Sequence, residues 1–195
     1  MKRICVFCGS SSGARPEYAE AARTLAGLLA GRGMGLVYGG GNVGLMGIIA
    51  DAMLAAGGEV IGVIPRSLLL KEVGHREVTE LRVVETMHER KALMSELSDG
   101  FIALPGGFGT LDEFFEILTW AQLGFHGKPC GLLNVAGYFD DMLRALDHAV
   151  AERFLRPQHR ELVLADTSAA MLLSRLADFV PRHDDKWIRE LGNFS

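Results

Sequence analysis

Short apolar runs alternate with longer segments of helical periodicity along most of the chain. Alternation of this kind predicts a parallel β-sheet with helices on both faces, because strands covered on both sides are apolar throughout. We therefore expect a single-domain, doubly wound α/β fold over residues 1–180, followed by a C-terminal extension at 181–195. The predicted strands are KRICVFC, GLVYG, EVIGVI, LRVVE, GFIAL, PCGLLNV and LVLAD, and the predicted helices cover 16–32, 43–57, 87–98, 111–125, 138–153 and 169–180.

Composition narrows the classes of partner. The chain has 195 residues, a formal net charge of −4 and 49% hydrophobic residues, which suffice for one sizeable core. A basic face for nucleic acid or for an anionic membrane is not expected, so small molecules are the expected partners. Cys5 and Cys8 lie three apart in a predicted strand and should point to opposite faces, which argues against a shared metal or a disulfide. With no signal peptide recognisable in MKRICVFC, a cytoplasmic location is predicted.

Four loops that follow predicted strands carry most of the candidate chemistry. Ligands of doubly wound sheets bind beyond the carboxyl ends of the strands, where the strand order reverses. These loops are CGSSSG at 8–13, GGGNVGLMG at 39–47, ETMHERK at 85–91 and PGGFGTLDE at 105–113.

The loop at 39–47 contains a dinucleotide-type glycine pattern. Gly39, Gly41 and Gly44 satisfy G-x-G-x-x-G, but the following strand ends in Pro65 and lacks the acidic residue that holds a ribose. A nicotinamide cofactor is therefore not predicted. Two interpretations stay open: glycines that let main-chain amides approach a phosphate, and glycines that only permit tight strand-to-helix packing.

The loop at 105–113 has a similar character. Gly106, Gly107 and Gly109 free the backbone, and Thr110 is expected to cap the following helix. A Walker loop is excluded because no Gly-Lys-Ser/Thr follows, so a single phosphate is the expected ligand. Glu113 has two interpretations, either as the last residue of a capping box that begins at Thr110 or as a carboxylate that faces the sugar of a nucleotide.

Residues 86–89 form another capping box, which places Arg90 and Lys91 in the first turns of a helix. Cations there oppose the helix dipole, so a negative group should compensate them. An ion pair with Glu85 or Glu89 would do so, as would a bound phosphate or a catalytic carboxylate. The six histidines show no metal-ligand spacing, and no metal site is predicted.

Taken together, FCGSS, GGGNVGLMG, MHERK and PGGFGTLDE resemble, in the same order, the motifs of the Lonely Guy family of cytokinin-activating nucleoside 5′-monophosphate phosphoribohydrolases. The resemblance runs from about residue 3 to about residue 180. It implies a Rossmann-like homodimer that cleaves the bond between an N6-substituted adenine and ribose 5-phosphate, or that accepts AMP, without a metal or other cofactor.

By this resemblance Arg90 and Glu113 carry catalysis, and two groups of residues bind the nucleotide. The first group matches positions that the family uses for its ligand, and the second comes from the glycine-rich loops. Within the first group, Glu72 lies in the stretch that is least similar to the family. The binding residues are Glu72, Lys91, Gly107, Phe108, Gly109, Thr110, Leu111, Asp112 and Thr119, with Gly40, Gly41, Gly44 and Ser10 from the loops.

The sequence leaves two other functions open, and it bears on how the chain assembles. A pyridoxal-phosphate-dependent lysine decarboxylase would need a reactive lysine, for which Lys91 is the only lysine in these loops. A nucleotide or molybdenum-cofactor carrier would bind phosphate without cleavage. In the helix after the second glycine loop, Leu111, Phe114, Phe115 and Leu118 form one apolar stripe and Ile117 and Trp120 a second, which suggests a homodimer or burial within the chain.

Overall fold

A computed structural model describes residues 1–69 and 74–181. Within them, seven parallel strands form one sheet in the order β4-β3-β2-β1-β5-β6-β7. The strands are β1 (Arg3–Phe7), β2 (Gly35–Tyr38), β3 (Val60–Pro65), β4 (Glu80–Val84), β5 (Gly100–Ala103), β6 (Cys130–Leu133) and β7 (Val163–Asp166). The doubly wound α/β prediction is confirmed, and all seven predicted strands are present.

Helices cover both faces of the sheet, as the alternating pattern predicts. In the described residues they are α1 (Pro16–Gly31), α2 (Gly44–Ala55), α3 (Arg66–Leu69), α4 (Met87–Glu96), α5 (Phe108–Gln122), α6 (Asp140–Ala151), α7 (Pro157–Arg160) and α8 (Ala169–Ala177), with a short 3₁₀ turn at Val135–Gly137. The short helices α3 and α7 were not predicted. The predicted C-terminal extension lies outside the described residues apart from Pro181. None of the helices in the described ranges is both long enough and apolar enough to cross a membrane.

Alternate residues of each strand supply the two cores. Along β1 and just beyond it, Ile4, Val6 and Cys8 pack with α1, α2 and α8, whereas Cys5 and Phe7 pack on the other face with α4 and α5. The expectation that Cys5 and Cys8 face opposite sides is confirmed, and both thiols are free and buried. Burial raises the pKa of each of these thiols, which keeps them protonated.

The order of the strands reverses between β1 and β5, which lie side by side at the centre of the sheet. The loops that follow these two strands are CGSSSG and PGGFGTLDE. A crevice at the carboxyl ends of the strands is therefore bordered by two of the four loops that the sequence singles out.

His126 anchors the end of α5 to the sheet. Its Nε2 lies 3.1 Å from the Ile117 carbonyl oxygen, and its Nδ1 accepts a hydrogen bond from the Lys128 amide at 3.1 Å. The ring also packs against Phe101. An accepting Nδ1 places the proton on Nε2, so the folded protein holds the neutral ring, and burial lowers the pKa of His126.

We expect the advantage in stability of the wild type over a His126→Leu variant to shrink as the pH falls. Below about pH 6.5, the ordinary histidine pKa, the unfolded chain takes up a proton that folded His126 does not yet bind. Stability contributed by neutral His126 is thus present above that pH and is lost as the pH falls toward the lower folded pKa. Urea unfolding of both proteins at pH 8 and pH 5 measures the change, and a gap that widens at pH 5 would contradict it.

Candidate active site

Three loops at the carboxyl ends of the strands are hydrogen-bonded to one another. The Gly9 amide donates to the Pro105 carbonyl at 3.0 Å, and the Leu45 amide donates to the Gly9 carbonyl at 3.0 Å. An added Cβ at Gly44 would collide with the backbone of Ser10 and Ser11, so only glycine allows this approach. The loops after β1, β2 and β5 therefore form one continuous surface.

Arg90 lies buried under this surface, and each of its three guanidinium nitrogens has a partner. Its Nη1 lies 2.9 Å from Glu113 Oε1, and both side chains are less than a tenth exposed. Its Nε donates to the Val63 carbonyl at 3.1 Å, and its Nη2 donates to the Gly39 carbonyl at 3.2 Å. A side chain at Gly39 would occupy the place of the guanidinium. The arginine thus joins α4, α5, β3 and the end of β2 at one point.

The start of α4 explains how Arg90 is presented. The Thr86 hydroxyl accepts from the Glu89 amide at 3.1 Å, and the Glu89 carboxylate accepts from the Glu85 amide at 2.9 Å, so the predicted capping of this helix is confirmed. Arg90 pairs with neither acid, because Glu85 forms its ion pair with Arg66 on the surface. The negative group that compensates Arg90 is the carboxylate of Glu113.

Helix α5 begins three residues earlier than predicted. Gly107 is its N-cap and Phe108 its first residue, so Thr110 lies in the first turn and does not cap the helix. Of the two interpretations of Glu113, the capping box that begins at Thr110 is therefore wrong, and the Glu113 side chain pairs with Arg90. The reason lies in the glycine pair, since Gly106 and Gly107 end the turn before Thr110 is reached. The Thr110 side chain is buried against Gly106.

The N-terminus of α5 opens toward the crevice. An added Cβ at Gly107 or Gly109 would meet no atom within 4 Å, so packing among the described residues does not require these glycines. Its N-cap, Gly107, has no side chain with which to cap the helix. Its main-chain amides and its positive dipole end are suited to bind an anion. Phe108, on the same turn, is 95% exposed.

Lys91 is held by two carboxylates from α5. Its Nζ lies 3.2 Å from Asp112 Oδ2 and 3.0 Å from Glu116 Oε2. Burial alone would lower the pKa of Lys91, but the hydrogen bonds and charges of Glu116 and Asp112 outweigh it, so the pKa is raised. Glu116 is thus tied to Lys91 by an ion pair between α5 and α4. A lysine of this kind is a firmly protonated cation and a poor nucleophile.

The other predicted binding residues divide by position. Gly40, Gly41, Gly44 and Ser10 lie in the joined loops, and Leu111 packs partly against the core. Thr119 lies apart from Arg90 and Glu113, in a cavity of about 90 Å³ between α5 and the segment 146–163. Glu72 lies outside the described residues. A ligand role for each of these residues stays a prediction.

The sequence patterns did not indicate Tyr138 as a residue of the site, and they did not show that Gly39 leaves room for the Arg90 guanidinium. Tyr138 follows β6 at the same edge of the sheet, and its hydroxyl donates to the Gly106 carbonyl at 2.6 Å. Ligands of doubly wound sheets bind beyond the carboxyl ends of the strands, and the loop after β6 that carries Tyr138 lies at such an end. This is the sequence signal by which Tyr138 could have been found. In the described parts of the chain, no group of three or more His, Cys, Asp or Glu side chains is arranged to hold a metal ion.

Comparison with known proteins places this site in a family. A family model described as "Possible lysine decarboxylase" matches residues 46–176. A cytokinin riboside 5′-monophosphate phosphoribohydrolase of Arabidopsis thaliana is 51% identical over 94% of this chain and 86% of its own length. A probable enzyme of the same name from Oryza sativa subsp. japonica is 53% identical over 92% of this chain and 79% of its own length.

Among solved structures, the molybdenum cofactor binding protein from Rippkaea orientalis superimposes with a TM-score of 0.68 at 25% identity. The match covers 91% of this chain and 97% of that chain. The fold is thus shared with a molybdenum cofactor binding protein, while the much higher sequence identity is with the phosphoribohydrolases. The buried Arg90–Glu113 pair, the joined glycine loops and the near-complete match at about half identity agree: the chain belongs to the Lonely Guy family of cytokinin riboside 5′-monophosphate phosphoribohydrolases.

Proposed function

We propose that the protein hydrolyses the N-glycosidic bond of adenosine 5′-monophosphates, including N6-substituted ones, to a free base and ribose 5-phosphate. The observation that carries this proposal is the buried ion pair of Arg90 and Glu113, set beneath three hydrogen-bonded loops at the switch point of the sheet. The relatives at about 50% identity carry this activity in their names.

The chemistry of the bond defines what the site must supply. As the bond between ribose C1′ and the base breaks, its electron pair leaves with the base, which takes up a proton, and positive charge develops on the ribose. Water then bonds to C1′ and loses a proton. A preorganised carboxylate stabilises such positive charge far better in a dry site than in water. Glu113 would supply this carboxylate and would orient the attacking water.

Arg90 acts through Glu113 in this mechanism. Two of its nitrogens donate to the main-chain carbonyls of Val63 and Gly39, so the guanidinium is fixed by the sheet. It can therefore hold the Glu113 carboxylate ionised and in one orientation. This geometry favours a role for Arg90 in orienting Glu113, and it argues against direct contact between Arg90 and the ribose hydroxyls.

The 5′-phosphate would be held by main-chain amides. Lys91 is already neutralised by Asp112 and Glu116, whereas the start of α5 has open space above Gly107 and Gly109. Binding energy from the phosphate, which does not react, would hold the sugar against Glu113. Gly40, Gly41, Gly44 and Ser10 would complete the cradle, with Phe108 at its rim.

Of the alternative functions, the decarboxylase has the weakest support. A lysine that forms a Schiff base needs a lowered pKa, and the pKa of Lys91 is raised by its two carboxylates. A carrier without catalysis is supported by the shared fold alone, at 25% identity.

The buried free thiols Cys5, Cys8 and Cys130 favour a reducing compartment, and on that basis we propose a cytoplasmic location.

Incubation with AMP and with isopentenyladenosine monophosphate, followed by chromatography, should reveal free base and ribose 5-phosphate. A Glu113→Gln variant should lose base release by at least a hundredfold, because the neutral amide does not stabilise the developing positive charge. Its affinity for AMP, measured by calorimetry, should stay within a few-fold of wild type.

Glu96→Gln, at the exposed far end of α4, serves as the matched control and should retain full activity. Loss of AMP binding in Glu113→Gln, with unchanged turnover of whatever substrate binds, would contradict the role of Glu113. Retention of AMP by the wild type without release of base would favour the carrier. Absorbance of the purified protein in the visible range would favour the decarboxylase.

Coupling between Arg90 and Glu113 can be measured separately from catalysis. Arg90→Met and Glu113→Leu should each destabilise the protein by about 3–5 kcal/mol, since each leaves one buried charge without the other. The double variant should lose less than the sum of the two, with a coupling energy of about 1–3 kcal/mol from urea unfolding at pH 7. Strict additivity would show that the pair contributes no mutual stabilisation.

A homodimer is proposed as the assembled form. Phe114, Ile117 and Leu118 are buried, and Leu111 and Trp120 pack against the same core, so the two predicted stripes are one face. Phe115 is the exception to the first stripe, because it lies on the other side of α5 and is 38% exposed. Helix α6 has no fully buried residue although its apolar residues share one side. Other exposed apolar residues nearby are Phe108 and Phe154.

Light scattering of the wild type should give twice the mass of the 21.2 kDa chain. Phe115→Asp should shift the protein toward monomer, because a charge buried in an apolar interface carries a large desolvation cost. Met171→Asp is the matched control, since Met171 is 57% exposed on α8, on the opposite side of the sheet. A wild type that stays monomeric at all concentrations would exclude the dimer.

A further inference from the structure

Tyr138 contacts the proposed phosphate cradle from a loop that none of the four sequence motifs includes. It follows the 3₁₀ turn at Val135–Gly137, beyond the carboxyl end of β6. Its hydroxyl donates a hydrogen bond of 2.6 Å to the carbonyl oxygen of Gly106. This bond links the loop after β6 to the glycine pair that begins α5.

The turn that carries Tyr138 is held from several sides. The Asn134 side chain accepts from the Phe139 amide at 2.8 Å and donates to Asp140 Oδ1 at 2.7 Å. Ala136 has a φ of 51°, a conformation that alanine rarely adopts. Uncommon backbone conformations persist where the surroundings determine them fully, and they cluster at functional sites.

The Tyr138 ring is also fixed by its neighbours. Its centroid lies 5.8 Å from that of Tyr18 and 5.0 Å from that of Phe139, both in edge-to-face contacts. Such contacts restrict the ring of a side chain that is 42% exposed. The hydroxyl therefore reaches Gly106 from a rigid support.

The consequence for the cradle follows from the geometry of the peptide bond. The carbonyl of Gly106 and the amide of Gly107 belong to one planar trans peptide, so their C=O and N–H bonds point in opposite directions. A peptide between two glycines can flip at little steric cost. When Tyr138 holds the Gly106 carbonyl, it also fixes the direction of the Gly107 amide at the N-cap of α5.

We infer that Tyr138 is a positioning residue, which locks the Gly106–Gly107 peptide so that the start of α5 presents its amides to the 5′-phosphate. The inference rests on the proposed function for the identity of the anion. It assigns Tyr138 to binding of the phosphate and gives it no contact with the reacting bond. Its loss should therefore weaken binding of any ligand that carries the 5′-phosphate, and it should leave the chemical step unchanged.

Tyr138→Phe tests this assignment, because it removes the hydroxyl and keeps the ring. The KM for AMP should rise about three- to tenfold, the range expected for loss of one hydrogen bond, while kcat stays within twofold. The dissociation constant of ribose 5-phosphate, measured by calorimetry, should rise by the same factor. Tyr18→Phe is the matched control, since it removes a hydroxyl from the neighbouring ring and keeps the bond to Gly106, so both constants should match wild type.

The possible failures can be told apart. A wild type that releases no base from AMP refutes the proposed function, whereas the dissociation constants of ribose 5-phosphate still test the role of Tyr138. A Tyr138→Phe variant with wild-type KM and wild-type affinity for ribose 5-phosphate overturns the inference. Loss that falls on kcat alone also overturns it, as does an equal loss in Tyr18→Phe.

Discussion

The buried ion pair between Arg90 and Glu113 is the constraint on which the rest of the site depends. Removal of two charges from water is costly unless each finds its partner and further hydrogen bonds. The structure meets this demand with Glu113 on one side of the guanidinium and the carbonyls of Val63 and Gly39 on the other. Four elements must hold their relative positions for these bonds to form, so the ion pair also fixes packing on this face of the sheet.

Two glycines around the ion pair are required because they have no side chain. Gly39 leaves the space that the Arg90 guanidinium occupies, and Gly44 lets the loops after β1 and β2 touch. At both positions the tight-packing interpretation is correct for the glycine itself, and that packing creates the surface on which a ligand would bind. Gly107 and Gly109 differ, since packing among the described residues does not require them. Packing therefore requires glycine at Gly39 and Gly44, and it leaves open space above Gly107 and Gly109.

Arg90 and Lys91 on α4 both pair with carboxylates of α5. Arg90 is committed to Glu113, and Lys91 is committed to Asp112 and Glu116. In the proposed function, an incoming phosphate would therefore meet oriented main-chain amides, which carry no net charge to be neutralised by the acids nearby. In that function, Glu113 would remain available to a cation that exists only in the transition state.

Local periodicity and turn chemistry were enough to predict the sheet, the alternating helices and the loops that border the candidate site. The sequence also placed Arg90 and Glu113 among the candidates and gave the cap of α4 correctly. It did not determine where α5 begins, since Thr110 to Glu113 satisfies a capping box that the preceding Gly106–Gly107 turn makes unnecessary. Three features became visible only in the folded chain: Glu113 pairs with Arg90 across 23 residues, Phe115 lies outside the buried face of α5, and Tyr138 donates to Gly106. These three outcomes depend on contacts between elements that are distant along the chain, and local patterns carry no information about the direction in which such side chains meet.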